Sequence, residues 1–178
     1  MLDRNTLIQR AGAGEKFTYL YFWGHTMPEG GPVTKACLSQ WFPSQFVVDD
    51  QEYATAEHWM MAAKARMFSD HQALASILSD PRPIKAKKFG RAVQGFDTER
   101  WAKESVAIVI EGNLAKFSQD ERLKSFLLAT GDKVLVEASP EDSIWGIGLT
   151  EDDPRAREPK QWQGENLLGF ALMEVRSR

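Results

Sequence analysis

Residues 53–68, YATAEHWMMAAKARMF, combine the apolar content of a buried helix with an acid and a base. Successive residues of a helix turn by about 100°, so Glu57, Met61 and Lys64 fall on one face, with Met60 beside them. Glu57 and Lys64 stand about 10 Å apart along the axis, which is too far for a simple salt bridge within the helix. Both side chains could, however, reach one ligand lying across this stripe.

Composition alone favours a simpler explanation of the same residues. Glu57 would complement the helix dipole, while Lys64 would extend its ammonium group to water. His58 would be a capping or packing residue, since His25 and His71 are distant in sequence and the chain shows no metal signature. The sequence therefore predicts no metal site and leaves two interpretations of the stripe open.

The chain has six tryptophans in 178 residues, and most large aromatic side chains belong to the core. Trp41 in QWFPSQF and Trp145 in SIWGIG differ, because they lie in predicted loops flanked by proline or glycine. Aromatic side chains in such places can stack on a planar ring. The segments GRAVQG and GIG lack the spacing of a dinucleotide fingerprint or a P-loop.

Asn113 and Lys116 lie three residues apart in GNLAK and share one face of a predicted helix. The ordinary explanation of such a pair is a solvated face. Contacts to a ribose or a phosphate are the second interpretation.

Local signals predict the elements that position these residues. Thr55, Asp97 and Pro83 can each begin a helix, and Gly131 suits a left-handed helix end. Gly112 marks a weak point of the long helix. The first predicted helix begins after Thr55 within residues 53–68, and the others cover 71–80, 83–93, 99–119, 121–130 and 166–178. The predicted strands are 17–23, 133–139 and a hairpin of 46–48 and 51–53, with loops at 24–35 and 139–166.

These elements indicate an α+β fold, a mainly helical single domain over residues 1–178 with a small β-sheet. The formal net charge of −3 predicts no strong non-specific attraction to nucleic acid or to anionic membrane. One cysteine excludes an intrachain disulfide and a cysteine-based metal site, and it fits a reducing, cytoplasmic location. No stretch approaches the roughly 20 apolar residues of a membrane span.

Several segments, in order, resemble the YbiA-like or NADAR family. They are YFWG, WFPSQFVVDDQEYATAEHWMMAAKA, GRAVQGFDTERW, VIEGNLAKFSQDERLKSFLLATGDKVLVEASPEDSIWGIG and NLLGFALMEVR. Ile147 stands where one familiar member has aspartate after the Trp–Gly pair, which suggests a different subgroup. The resemblance implies a single α+β domain with N-glycosidase activity and no cofactor.

The family resemblance also implies substrates and roles. The substrate would be a ribosylamino-pyrimidine phosphate from riboflavin synthesis, or ADP-ribosylated guanine in nucleic acid. Glu57 would be essential and Lys64 a candidate for covalent participation. The alternative is a non-catalytic module that binds ADP-ribose or a nucleotide.

Cleavage of an N-glycosidic bond develops positive charge on the ribose, which a carboxylate such as Glu57 stabilises. Lys64 would anchor a phosphate or attack C1. The acid for the leaving base would be Asp142, Asp152 or Asp153, with Asp153 placed in the catalytic set. The expected substrate-binding set is Trp23, Trp41, Phe42, His58, Asn113, Lys116, Trp145, Gly146 and Asp152.

Overall fold

The computed structural model describes residues 1–26 and 30–178, so residues 27–29 of the predicted loop 24–35 lie outside the described residues. The described chain forms two compact units. We call Gln40–Glu121 the central unit, and Met1–Ser39 with Arg122–Arg178 the terminal unit. That the two act as a single domain stays a prediction.

The elements follow the predicted order, with one helix added at the start. In chain order they are α1 (Arg4–Gly12), β1 (Tyr19–Phe22), β2 (Phe46–Val48), β3 (Gln51–Tyr53), α2 (Ala56–Met67), α3 (His71–Ser79), α4 (Pro83–Arg91), α5 (Thr98–Ser118), α6 (Glu121–Ala129), β4 (Val134–Glu137) and α7 (Leu167–Ser177). The predicted α+β class is confirmed. No helix in the described ranges is both long and apolar enough to cross a membrane.

Helix α1 was not predicted. Asp3 caps it by accepting a hydrogen bond from the Thr6 backbone N–H at 2.7 Å. Leu7 is its only fully buried side chain, so the apolar pattern is too sparse to mark a helix in the sequence.

In the terminal unit, β1 pairs with β4 in parallel, and α7 packs against β4. The predicted loop 139–166 is largely irregular and contains two short 3-10 helices, Pro154–Arg157 and Pro159–Gln161. Ile147 in this loop is fully buried in the core cluster. Ile147 therefore contributes to the packing of this core.

In the central unit, β2 and β3 form the predicted antiparallel hairpin. Asp49 and Asp50 have φ values of 50° and 60°, the left-handed pair that a two-residue hairpin turn of the I′ type requires. The predicted caps of α2 and α5 are confirmed: Thr55 accepts from the His58 N–H, and Asp97 accepts from the Arg100 N–H.

Helix α5 runs unbroken past Gly112, so the predicted weak point is wrong. A Cβ atom at Gly112 would lie 2.1 Å from Trp59 Cδ1, and the Trp59 indole N–H donates to the Ile108 carbonyl at 2.7 Å. We call this recess in α5 the Gly112 notch. Glycine is required there by the close approach of the Trp59 ring on α2.

We expect Gly112→Ala to lower the free energy of unfolding by about 1–3 kcal/mol, because overpacking against Trp59 outweighs the gain in helix propensity. The matched control is Gly12→Ala, whose new Cβ would meet nothing within 4 Å. It should leave stability unchanged or raise it by up to about 1 kcal/mol. Urea unfolding of both variants measures the difference, and equal stabilities would contradict the notch.

Candidate active site

Helix α2 is buried on almost all sides: nine of its twelve residues are buried, including both charged residues of the predicted stripe. The exposed fraction is 6% for Glu57 and 9% for Lys64. Charged side chains are rarely buried to this extent without a paired or functional reason. The stripe predicted from the sequence is therefore a set of polar groups inside the central unit.

The sequence-based expectation that Lys64 extends its ammonium group to water is wrong, because its side chain is buried. Its Nζ lies 3.9 Å from the centroid of the Phe96 ring and 5.6 Å from that of Trp101. The Nζ atom makes no hydrogen bond or ion pair with any residue in the described ranges. Aromatic faces favour a cation electrostatically, but they replace only part of its hydration.

A close contact between α2 and α4 places a second cation near this lysine. A Cβ atom at Gly90 would lie 2.0 Å from Met61 Sδ, so only glycine allows α4 to approach Met61 this closely. Arg91 follows directly. Burial lowers the pKa of Lys64, and the positive charge of Arg91 lowers it further. Both effects increase the fraction of neutral, nucleophilic amine at a given pH.

A second polar group lies on α5. Asn113 is fully buried and Lys116 is 1% exposed, so a solvated face is the wrong explanation for this pair. Asn113 Nδ2 donates to the Val109 carbonyl at 2.8 Å, and Lys116 Nζ lies 5.7 Å from the centroid of the Phe42 ring. These residues occupy the interior of the central unit.

Gln40 connects the two groups. Its carbonyl accepts a hydrogen bond from the Glu57 backbone N–H at 2.9 Å, and its side-chain Nε2 donates to Asn113 Oδ1 at 3.1 Å. The structure thereby brings Glu57 and Asn113 to the same glutamine. Sequence analysis missed Gln40, since a glutamine in a loop has no periodicity or motif to mark it.

His58 is held by the protein at both ring nitrogens. Nδ1 lies 2.8 Å from Thr55 Oγ1, and Nε2 lies 2.8 Å from the Asp80 carbonyl oxygen. Because a carbonyl only accepts, Nε2 carries the proton and the Thr55 hydroxyl donates to Nδ1. Burial lowers the pKa of His58, consistent with this neutral form. The arrangement favours the packing role over substrate contact.

The remaining expected site residues divide between the units. In the central unit, Phe42 is buried, and Trp41 is half-buried with Lys87 Nζ 5.6 Å from its ring centroid. The other five belong to the terminal unit, where Trp23 is 58% exposed. They are Trp23, Trp145, Gly146, Asp152 and Asp153.

Asp153 is a weak candidate for the acid. Its carboxylate accepts hydrogen bonds from the Arg155 side chain, at 2.7 and 3.0 Å, and from the Arg155 backbone. These contacts lower the pKa of Asp153 to about 2. A carboxyl group held this acidic is ionised near neutral pH and has no proton to donate. Asp142 caps the turn before Trp145, accepting from the Ile144 and Trp145 N–H groups.

Among residues 1–26 and 30–178, no three histidine, cysteine, aspartate or glutamate side chains are grouped so that they could hold a metal ion.

The model of the NADAR domain family matches residues 21–178. The chain belongs to the NADAR family. It is 41% identical over 163 residues to N-glycosidase R617 of Acanthamoeba polyphaga mimivirus, covering 89% of this chain and 94% of that protein. It is 31% identical over 157 residues to N-glycosidase Npun_R5314 of Nostoc punctiforme, covering 88% and 90%.

The fold matches the NMR structure of the Escherichia coli protein YbiA with a TM-score of 0.68 at 24% identity. The match covers 92% of this chain and 85% of that one. Together with the curated relatives, this family membership makes the chain an enzyme of the N-glycosidase class, a hydrolase acting on N-glycosyl compounds.

The surroundings of Lys64 give a prediction. Since burial is the main cause of the lowered pKa, Phe96→Ala should admit water and raise the pKa of Lys64 toward its ordinary value. Acetic anhydride labelling at a series of pH values, followed by peptide mass spectrometry, measures the pKa of Lys64. In the native protein the labelling midpoint of Lys64 should lie below that in the unfolded chain.

The matched control is Ile84→Ala, which removes an apolar side chain that is 59% exposed and should leave the midpoint unchanged.

The lowered pKa of Lys64 also determines how the stability of the protein changes with pH. Between the lowered native pKa and the ordinary pKa of 10.5 the unfolded chain binds more protons at this lysine than the native protein does, so the free energy of unfolding rises with pH across that window. A native midpoint equal to the unfolded one would contradict the burial argument.

Proposed function

We propose that this NADAR-family enzyme hydrolyses an N-ribosyl bond, releasing a free base and a ribose derivative. The observation that carries the proposal is the burial of an acid and a base, Glu57 and Lys64, on one helix. The substrate is ADP-ribosylated guanine in nucleic acid or a ribosylamino-pyrimidine phosphate. A cytoplasmic location is part of the proposal and rests on the single buried cysteine, Cys37.

Glu57 is suited to the charge that develops during cleavage. As the bond from C1 to the base nitrogen lengthens, positive charge spreads over C1 and the ring oxygen. A carboxylate fixed in the first turn of a buried helix stabilises that charge at short range, in surroundings where few waters screen it. The same group can take a proton from the attacking water.

Lys64 has two chemically distinct roles open to it. As an ammonium it would anchor a substrate phosphate. As a neutral amine it would attack C1, and the base would leave with a proton. Ring opening then gives an imine, and water hydrolyses this to the sugar aldehyde and the free amine. The lowered pKa and the lack of an ion pair support the second role.

Arg91 and Lys87 can supply the positive charge that a phosphate needs. Neither makes an ion pair in the described part of the chain. With the cation of Arg91 near it, Lys64 is not needed as an anchor. We assign base stacking to Trp41, and the neighbouring Lys87, whose Nζ lies 5.6 Å from its ring centroid, supports this assignment.

A non-catalytic ADP-ribose or nucleotide reader has less use for a buried carboxylate beside an anionic ligand, so Glu57 favours the enzyme. The test of the whole proposal is a release assay across both substrate classes, read by mass spectrometry. Free base from either class would support the proposal. Intact substrates in both classes, with folded enzyme, would overturn it.

We expect Glu57→Gln to lower turnover by about 100-fold or more, because it keeps the shape of the side chain and removes the charge that the transition state needs. The matched control is Glu111→Gln on α5, which neutralises an exposed glutamate and should leave turnover unchanged. Circular dichroism establishes that both variants fold. Wild-type turnover by Glu57→Gln would remove this residue from the mechanism.

The two roles of Lys64 predict different outcomes in a trapping experiment. Borohydride added during turnover should reduce the imine and leave a ribosyl adduct on the peptide that contains Lys64. Lys64→Arg keeps the charge but cannot form the imine, so it should lose activity while staying folded. Product formation without an adduct, together with substantial activity in Lys64→Arg, would assign the lysine to phosphate anchoring instead.

A further inference from the structure

Gln40 presents a buried acceptor that the protein itself does not use. The residue is 8% exposed, and its Oε1 atom is buried without a hydrogen-bond partner in the described residues. Buried polar atoms nearly always find a partner, so an unused acceptor beside a candidate active site requires an explanation. Its backbone carbonyl accepts from the Glu57 N–H, and its Nε2 donates to Asn113.

The hydrogen bonds around it fix which end of the Gln40 amide is unused. Asn113 must present Nδ2 to the Val109 carbonyl, because a carbonyl only accepts, and this turns Oδ1 toward Gln40. Only a donor can meet Oδ1, so Nε2 of Gln40 points there. The unused group is therefore Oε1. Its residue is held by the backbone bond to Glu57 and by the side-chain bond from Nε2 to Asn113.

The position of this oxygen limits what can bind it. The backbone carbonyl of Gln40 is bonded to the backbone N–H of Glu57. Glu57 is the residue that we assign to the charge at C1 of the ribose. The group next to C1 in a ribose is the 2-hydroxyl, a neutral donor. A phosphate or carboxylate offers only acceptors at neutral pH and could not satisfy an amide oxygen.

We propose that Gln40 Oε1 accepts a hydrogen bond from the 2-hydroxyl of the substrate ribose, which makes Gln40 a residue that selects ribosyl over 2-deoxyribosyl compounds. The proposal rests on the N-ribosyl function above and assigns a residue that the family resemblance did not suggest. A site built to bond a hydroxyl rejects an analogue that lacks it, because the buried oxygen is then left unpaired.

Binding of two sugar phosphates tests the proposal without relying on catalysis. By titration calorimetry, the wild-type protein should bind ribose 5-phosphate at least about 10-fold more tightly than 2-deoxyribose 5-phosphate. Gln40→Leu, which has no acceptor, should bind the two equally, by losing affinity for ribose 5-phosphate alone. Gln45→Leu, an exposed glutamine of the same segment, should keep the wild-type preference.

The outcomes separate this proposal from the proposed function. Equal affinities in the wild-type protein, binding of neither sugar, or an unchanged preference in folded Gln40→Leu would each overturn the assignment of Gln40. A preference that Gln40→Leu abolishes, in a protein that releases no base from any N-ribosyl compound, would retain the ribose site and reject the hydrolase. If Gln40→Leu does not fold, the unbranched Gln40→Met serves the same comparison.

Discussion

The central unit depends on two places where a glycine lets another helix approach its backbone. Trp59 fills the Gly112 notch on α5, and Met61 lies against Gly90 on α4. Both side chains belong to α2, so one helix is fixed on two sides by contacts that no larger residue would allow. On the same helix, the Glu57 backbone N–H is bonded to Gln40, which is bonded to Asn113. Lys64 lies near Arg91.

Burying Lys64 among aromatic rings rather than beside a carboxylate has a chemical consequence. An acidic partner would favour the ammonium form and hold the pKa up. Phe96 and Trp101 attract a cation more weakly, and Arg91 opposes it. Stability alone gives no reason to bury a lysine in this way, since an apolar residue would pack there at lower cost. The arrangement is understandable if a neutral amine is what the site requires.

The sequence was sufficient where structure follows from local chemistry. Thr55, Asp97 and Pro83 begin helices as predicted, and the Asp49–Asp50 turn joins its two strands. It was insufficient where a residue acts through a distant partner. Two contacts join residues that are far apart in the chain: Gly112 meets Trp59, and Gln40 bonds to Asn113. Helix propensity and periodicity describe neighbouring residues and predict neither contact. The Glu57–Lys64 stripe was predicted because both residues lie on one helix.

The sequence and the structure differ most on which group donates a proton to the leaving base. The acid-rich loop suggested a carboxylic acid, but Arg155 keeps Asp153 ionised, and Ile147 is a core residue. A nucleophilic Lys64 removes the need for a separate acid. When an amine attacks C1, the nitrogen becomes positively charged and must lose a proton, while the departing nitrogen must gain one. In the proposed route the Lys64 nitrogen passes its proton to the departing base nitrogen, and Glu57, about 10 Å away along α2, stabilises the charge at C1.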